Sequence, residues 1–240
     1  MTSSRPSSIA PEHAGDRRLT LAVMARPPVP GRCKTRLAEG IGAAGAARLY
    51  EAMLLDTLHG LARIPGRHVV LAAPENDGVA ALRRLAPEPW EIVEQRGADL
   101  GERLANGMRD LWQGHLLCLL DSDSPTLPFD RLAETLAQPR EEKTVIVGPC
   151  DDGGYYLIGS TSLETGIFDA IPWSTASVME STRARCATLG LAIEALPTGF
   201  DVDSAADLVR LRAELARDPA AAPRTAACLA VLDARRGDTP

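Results

Sequence analysis

The chain predicts an α/β protein built on a largely parallel sheet. Two features carry that expectation: short β-rich runs alternate with helical patterns, and 45% of the 240 residues are apolar, enough to bury a sizeable core. A third is positional, since helix openings follow directly on strand-like runs, as they do in βα units.

In chain order, the first eighteen residues are rich in Ser, Pro and charge and read as a disordered leader without the apolar run of a signal peptide. Strands are expected at 19–25, 68–73, 91–95, 116–120, 144–148, 155–158 and 191–196, from their β-branched and aliphatic content. The clearest helix is 43–63, where Ala47, Tyr50, Leu54, Leu58 and Leu61 recur at spacings of three and four. Asp99, with Glu102 three residues on, signals a helix over 102–112; Phe129 to Leu136 reads as another. Asp203 and Asp207 flank the start of a helix over 204–216. One transferase domain is therefore expected over 19–216. The alanine-rich 217–240, with Pro219 and Pro223, should form one loosely docked helical tail.

Charge narrows the partners. Lys and Arg number 26 against 32 Asp and Glu, a net charge of −6, which disfavours nucleic acid or anionic lipid as a general partner. No stretch is long and apolar enough to span a bilayer. The five cysteines are scattered, with no C-x-x-C pair, which fits a reducing, cytoplasmic setting.

Against that acidic background, the segment Arg26-Pro-Pro-Val-Pro-Gly-Arg-Cys-Lys-Thr-Arg36 holds four basic residues and no acidic one, directly after the first strand. Three prolines stiffen it, Gly31 permits a tight approach, and Arg32, Lys34 and Arg36, with Arg26 at its start, can present cationic donors to phosphate oxygens. A solvated basic turn is the plain alternative, and the position after strand one weighs against it. Gly31 and Lys34-Thr35 echo the second half of a Walker A loop, but the first glycine is missing and proline fills its nest, so that assignment is rejected.

Leu116 to Leu120 is an apolar strand that stops at Asp121-Ser-Asp123-Ser-Pro125. Carboxylates at a strand's C-terminal end suit Mg²⁺ or Mn²⁺, which take oxygen ligands from the protein and from phosphates. One of these aspartates could instead form the turn or cap a helix. Asp201-Val-Asp203 offers a second carboxylate source, although capping is its simpler role judged alone. Asp151-Asp152-Gly153-Gly-Tyr155-Tyr156 is what a tight reversal demands. Functionally, Asp151 or Asp152 could bind an acceptor hydroxyl or act as a base, with Gly153, Tyr155 and Tyr156 beside it and Trp173 at the rim. No Ser, Cys or His constellation stands out among His13, His59, His68 and His115, and no G-x-G-x-x-G follows the first strand, which disfavours covalent hydrolases and NAD-type oxidoreductases.

Six ordered segments, 21–37, 95–103, 121–127, 148–157, 171–175 and 201–208, together resemble small bacterial glycosyltransferase-like proteins of the GT-A, or nucleotide-diphospho-sugar transferase, superfamily, over about residues 19–215. That superfamily also contains guanylyltransferases making 2-phospholactate and molybdenum-cofactor nucleotides. The resemblance implies a Rossmann-like GT-A fold with helices on both faces of the sheet and a divalent metal held by aspartates. It implies that Arg32, Lys34 and Arg36 bind phosphates, that Gln95, Gly97 and Gly101 line the base or ribose pocket, and that Asp123 with Asp203 hold the metal. Asp121 looks like an addition at a position the relatives fill with a small residue.

The expected activity is a metal-dependent transfer between a nucleotide-activated donor and a small-molecule acceptor, with Asp123, Lys34 and Asp152 as catalytic candidates and Asp121 as a further metal candidate. Glycosyl transfer from a nucleotide sugar is the leading expectation. Nucleotidyl transfer from a nucleoside triphosphate, releasing pyrophosphate, is the second, and a non-catalytic nucleotide sensor the third. Oligomeric state is left open.

Overall fold

The computed structural model describes residues 19–237; the expected leader, with His13, lies outside the described residues. Seven strands form one sheet: β1 (Leu19–Ala25), β2 (Arg67–Ala72), β3 (Glu91–Glu94), β4 (Leu116–Leu120), β5 (Thr144–Pro149), β6 (Tyr155–Ser160) and β7 (Ala192–Ala195), ordered β3-β2-β1-β4-β6-β5-β7. Each matches an expected strand to within two residues. β6 is antiparallel to β4 and β5, and the other pairings are parallel. The reversal is the work of the Asp-Gly-Gly turn between β5 and β6, whose Gly153 N–H returns to the Cys150 carbonyl.

After β1 the chain adds β2 and β3 on one side and places β4 on the other. That change of direction opens a crevice at the carboxyl ends of β1 and β4, where ligands of open α/β sheets bind.

Seven α-helices are described: α1 (Thr35–Leu61), α2 (Gly78–Arg83), α3 (Leu100–Leu111), α4 (Phe129–Leu136), α5 (Val178–Thr188), α6 (Ala205–Arg217) and α7 (Pro223–Gly237). α1 breaks at Gly42 (φ 74°), so the helix expected from residue 43 is its longer second part, and a short first part precedes it. Asp99 caps α3 by accepting from the Glu102 N–H at 2.8 Å, and the Glu102 carboxylate accepts from the Ala98 N–H at 2.8 Å. Ser204 caps α6 in a reciprocal box with Asp207.

Successive strand residues feed different clusters. Leu21, Val23 and Ala25 of β1 pack with Leu54, Leu58 and Leu61 of α1 and with Phe129 and Leu132 of α4. Ala22, between them, packs with Leu104 and Met108 of α3 and Cys186 of α5.

The tail is not loosely docked. Leu229 and Leu232 of α7 share a third cluster with Leu49 and Met53 of α1 and Leu211 of α6. The buried Asp56 of α1 accepts from both the N–H and the hydroxyl of Thr225 at 2.8 Å, serving the N-terminal N–H groups that a helix leaves unpaired. The alanine-rich composition led to the expectation of a loose tail, but α7 packs closely enough on α1 that a Cβ on Gly45 would meet Leu232 at 3.2 Å. All five cysteines are free, and among the described residues no helix is long and apolar enough to cross a membrane.

Candidate active site

The crevice is a cleft of about 680 Å³. One wall is the basic loop after β1, which contributes Arg26, Cys33, Lys34, Thr35 and Arg36; the floor is Asp121, Ser122 and Asp123 after β4; the far end holds Gln95, Asp99, Leu100 and Arg103.

Lys34 joins wall to floor. Its ammonium donates to Asp123 and, at 2.5 Å, to Oδ1 of Asp203. The lysine backbone is left-handed (φ 48°), an uncommon conformation for a side-chain-bearing residue that aims the side chain inward at the start of α1. Only 6% of that side chain is exposed. Burial works to lower its pKa, but Asp123 and Asp203 outweigh it and hold the ammonium above its ordinary range.

The acidic partners are brought together by one backbone bond. The Val202 N–H donates to the Asp123 carbonyl at 3.1 Å, docking the segment before α6 onto the end of β4. Val202 is fully buried between Asp201 and Asp203, so the two carboxylates flank an anchored residue. Oxygens of Asp123, Asp201 and Asp203 lie within 4.8 Å of one another. Burial, then the charges of Asp123, Asp152 and Asp203, push Asp201 up to about 6, and no hydrogen bond to its side chain is made among the described residues. Three hard oxygen donors that share one ammonium, and so keep an excess of negative charge, fit a divalent cation of the Mg²⁺ or Mn²⁺ type.

A second link fixes the crevice's width. The Tyr50 phenol oxygen of α1 accepts from the Arg26 N–H at 3.1 Å and shares a hydrogen bond with Ser122 Oγ at 2.9 Å. The end of β1 is thereby tied to the end of β4, and burial pushes the phenol up to about 12. At the far end, the Gln95 amide nitrogen donates to the carbonyls of Leu71 (2.5 Å) and Ala25 (3.3 Å).

The expected site residues divide. Arg26, Lys34, Arg36, Gln95, Asp121, Asp123 and Asp203 all line the cleft. Arg32 does not; it is exposed in the turn closed by its own N–H on the Val29 carbonyl, and Gly31 supplies that turn. Asp121 faces the cleft but is not one of the converging metal-type carboxylates: it accepts from Ser124 Oγ at 2.6 Å, and burial followed by the Asp123 charge keeps it well above the usual carboxylate range. Asp201 is the third member of that carboxylate cluster.

The acceptor candidates lie mostly elsewhere. Asp151 is paired with Arg210 of α6, outside the cleft. Asp152 accepts from the Gly154 N–H at 2.8 Å within the turn, near Asp201 and Cys150. A Cβ on Gly153 would fall 2.1 Å from the Ala176 carbonyl, so its role is to let the turn pack against the segment before α5. Tyr155 is a core residue, edge-on to Trp173 at 6.3 Å, and Trp173 sits so close to Gly101 that a Cβ there would meet Nε1 at 2.6 Å. The residue after it, Ser174, reaches the cleft. Gly97 (φ 139°) likewise serves packing against Glu102 and Arg103.

The sequence offered Asp201 only as a carboxylate source beside Asp203, and gave no functional signal for Tyr50, Ser122, Ser174 or Arg103 taken singly. Asp201 was legible as the partner of Asp203 in an Asp-Val-Asp alternation. Arg103 closed the 95–103 segment of the resemblance, but the role implied there went to Gln95, Gly97 and Gly101.

A mostly parallel sheet with a nucleotide-sized cleft at its switch point, a basic loop on one side and converging aspartates on the other, defines a protein of the nucleotide-handling transferase class. The family described as "Uncharacterized protein conserved in bacteria (DUF2064)" matches residues 57–175. The phosphoenolpyruvate guanylyltransferase of Nocardia farcinica is 30% identical over 188 residues, covering 75% of this chain and 79% of that one. A crystal structure from Desulfovibrio desulfuricans, named as a candidate nucleotide-diphospho-sugar transferase, is 30% identical and superposes with a TM-score of 0.82 over 91% of this chain and 96% of its own. A 4-diphosphocytidyl-2C-methyl-D-erythritol synthase from Anaerococcus prevotii, at 11% identity and a TM-score of 0.53 over 83% of this chain and 96% of its own, shares the fold. The chain belongs to the DUF2064 family, within the nucleotide-diphospho-sugar transferase superfamily that its motifs resemble, and it is a transferase.

Proposed function

We propose that the protein is a metal-dependent nucleotidyltransferase, joining a nucleoside monophosphate unit from a triphosphate to a small anionic acceptor and releasing pyrophosphate. The observation that carries this is the placement of Arg26, Lys34 and Arg36 in the same cleft as the Asp123 and Asp203 carboxylates, with Asp201 clustered behind them. A triphosphate needs more cationic contacts than a sugar diphosphate does, and these side chains would offset its charge.

An anionic acceptor suits this lining. No histidine lines the cleft among the described residues, and Asp152, the candidate base, is engaged in its own turn. A hydroxyl acceptor would need a base, whereas a phosphate or carboxylate oxygen is already ionised. Such an oxygen attacks the α-phosphorus, the bond to the bridging oxygen breaks, and pyrophosphate leaves with the electron pair. The guanylyltransferase from Nocardia farcinica, named for phosphoenolpyruvate, supports an acceptor of this kind.

Asp123, Asp201 and Asp203 would hold Mg²⁺ or Mn²⁺, which when bound would neutralise charge on the triphosphate and on the leaving pyrophosphate. The architecture we assign is a Rossmann-like GT-A fold with helices on both faces, supported by the alternate strand residues that feed two separate clusters. Five free thiols fit a reducing, cytoplasmic setting.

Glycosyl transfer is the second reading, favoured by the name of the Desulfovibrio desulfuricans structure. The two part on their products. Incubation with nucleoside triphosphates, nucleotide sugars and anionic acceptors, each with Mn²⁺, should release pyrophosphate from the triphosphates. Nucleoside diphosphate released from sugar donors, with no pyrophosphate, would reverse the assignment.

A further inference from the structure

We infer that Arg103 is a specificity-determining residue that reads the base of the nucleotide, selecting a base with a carbonyl beside an imino N–H, as in guanine or uracil, over adenine; this rests on the nucleotide-binding role proposed for the cleft. Arg103 has no part in the basic loop or the acidic cluster, yet it lines the same cleft at the end formed by β2 and β3. Strands lie about 4.8 Å apart, so this end is about 10 to 14 Å across the sheet from the β4 carboxylates, on the order of a nucleoside's length. A nucleotide with its phosphates at Lys34 and its sugar over β1 would bring its base to Arg103.

The arginine is held for such a contact. Its Nε donates to the Gly97 carbonyl at 3.2 Å and its Nη2 to Glu75 Oε1 at 2.9 Å. These two anchors, from the loops after β3 and β2, fix the guanidinium plane and leave both Nη1 hydrogens and one on Nη2 without a hydrogen-bond partner among the described residues. The side chain is 21% exposed, so the fork is partly shielded from water while still open to the cleft. Lining the same cleft, Gln95 has committed its amide nitrogen to two backbone carbonyls, which leaves its oxygen as an acceptor. A charged donor fork and an amide acceptor lining one cleft match a base that carries a carbonyl and an imino N–H. Arginine donors favour strong oxygen acceptors such as guanine O6 or uracil O4, whereas adenine puts an amino group where the carbonyl would be.

The test is calorimetric binding of the α,β-methylene analogues of GTP, UTP, ATP and CTP to the full chain with Mn²⁺, in the wild type, Arg103→Gln and Glu75→Gln. The wild type should bind the guanine or the uracil analogue at least about tenfold more tightly than the adenine one. Arg103→Gln should remove that preference by weakening the keto-base analogue alone, and Glu75→Gln, which releases one anchor, should reduce it. Equal weakening of all four analogues in Arg103→Gln would make the residue a phosphate contact or a scaffold and overturn the inference, as would an unchanged ratio. A wild type that binds none of the four would overturn the functional reading and this inference with it. If Arg103→Gln does not fold, Arg103→Lys, which keeps the charge facing Glu75 and loses the fork, decides on the same ratio.

Discussion

The ammonium of Lys34, at the head of α1, is clasped by the carboxylate of Asp123, at the end of β4, so the basic and acidic motifs of the sequence meet across the crevice between β1 and β4. Substituting Lys34 by Met would leave Asp123, Asp201 and Asp203 without their ammonium. Removing one partner of a buried pair costs about 3 kcal/mol, because the remaining charge stays desolvated. Lys34→Met should therefore melt several degrees lower, and Mn²⁺ should raise its melting point more than it raises that of the wild type, since the ion then has no ammonium to compete with. Equal metal-induced shifts in the two proteins would count against the shared position.

Asp123→Asn tests the same cluster from the other side. The side chain keeps its shape and loses its charge, so the backbone bond from Val202 and the fold should persist. Transfer activity should fall at least about a hundredfold, in line with the loss of one electrostatic contact to a reacting phosphate. Retained activity with an unchanged melting point would remove Asp123 from the centre of the site.

Tyr50→Phe deletes one oxygen and strands two polar groups, the Arg26 N–H and the Ser122 hydroxyl. Leaving such groups unsatisfied in a buried place costs about 1 to 3 kcal/mol. Because those groups lie on the two sides of the crevice, kcat should fall along with stability. An unaltered kcat in a destabilised variant would restrict Tyr50 to the core.

The strand pattern was legible because a parallel sheet buries continuous aliphatic runs, and Leu116–Leu120 reads as such a run on sight. Lys34, Asp123 and Asp203 were legible as candidates because each sits where a strand ends or a helix begins, the edge at which open α/β sheets bind ligands. Tyr50 was not, since at a helical period it looks like any other core residue, and only the approach of β4 gives its hydroxyl a partner 72 residues away. Asp151 misled for the converse reason. Its turn is local and visible, whereas the Arg210 that takes its carboxylate comes from α6, 59 residues on. Burial of Asp121 likewise depends on how deeply the β4 end is covered, which no local pattern records.

The tail offers a test of the domain boundary. Asp56→Ala removes the acceptor for the Thr225 N–H and hydroxyl, which act as a helix cap supplied from a neighbouring helix. Loss of a cap costs about 1 to 2 kcal/mol. The variant should be cleaved by protease near α7 faster than the wild type, with the remainder of the chain surviving longer than the tail. Cleavage at the wild-type rate would mean that the Leu229 and Leu232 contacts alone hold the helix.

His68 of β2 should make stability fall in mild acid. Its Nε2 donates to the Leu61 carbonyl at 3.0 Å, its ring lies 4.8 Å from that of Trp90, and burial lowers its pKa below the ordinary value. The folded state then holds the imidazole neutral while the unfolded chain binds a proton below about pH 6.5. In that window the unfolded state carries more protons, so stability is complete above pH 6.5 and declines as pH falls toward the lowered pKa, by about 1.4 kcal/mol for each unit of depression. Asp201 and Asp121 shift the other way and would mask the effect in a single melting curve. Subtracting the pH profile of His68→Phe from that of the wild type isolates it: the wild type should lose ground steadily between pH 7 and pH 5. A constant difference across that range would show that the imidazole titrates alike in both states.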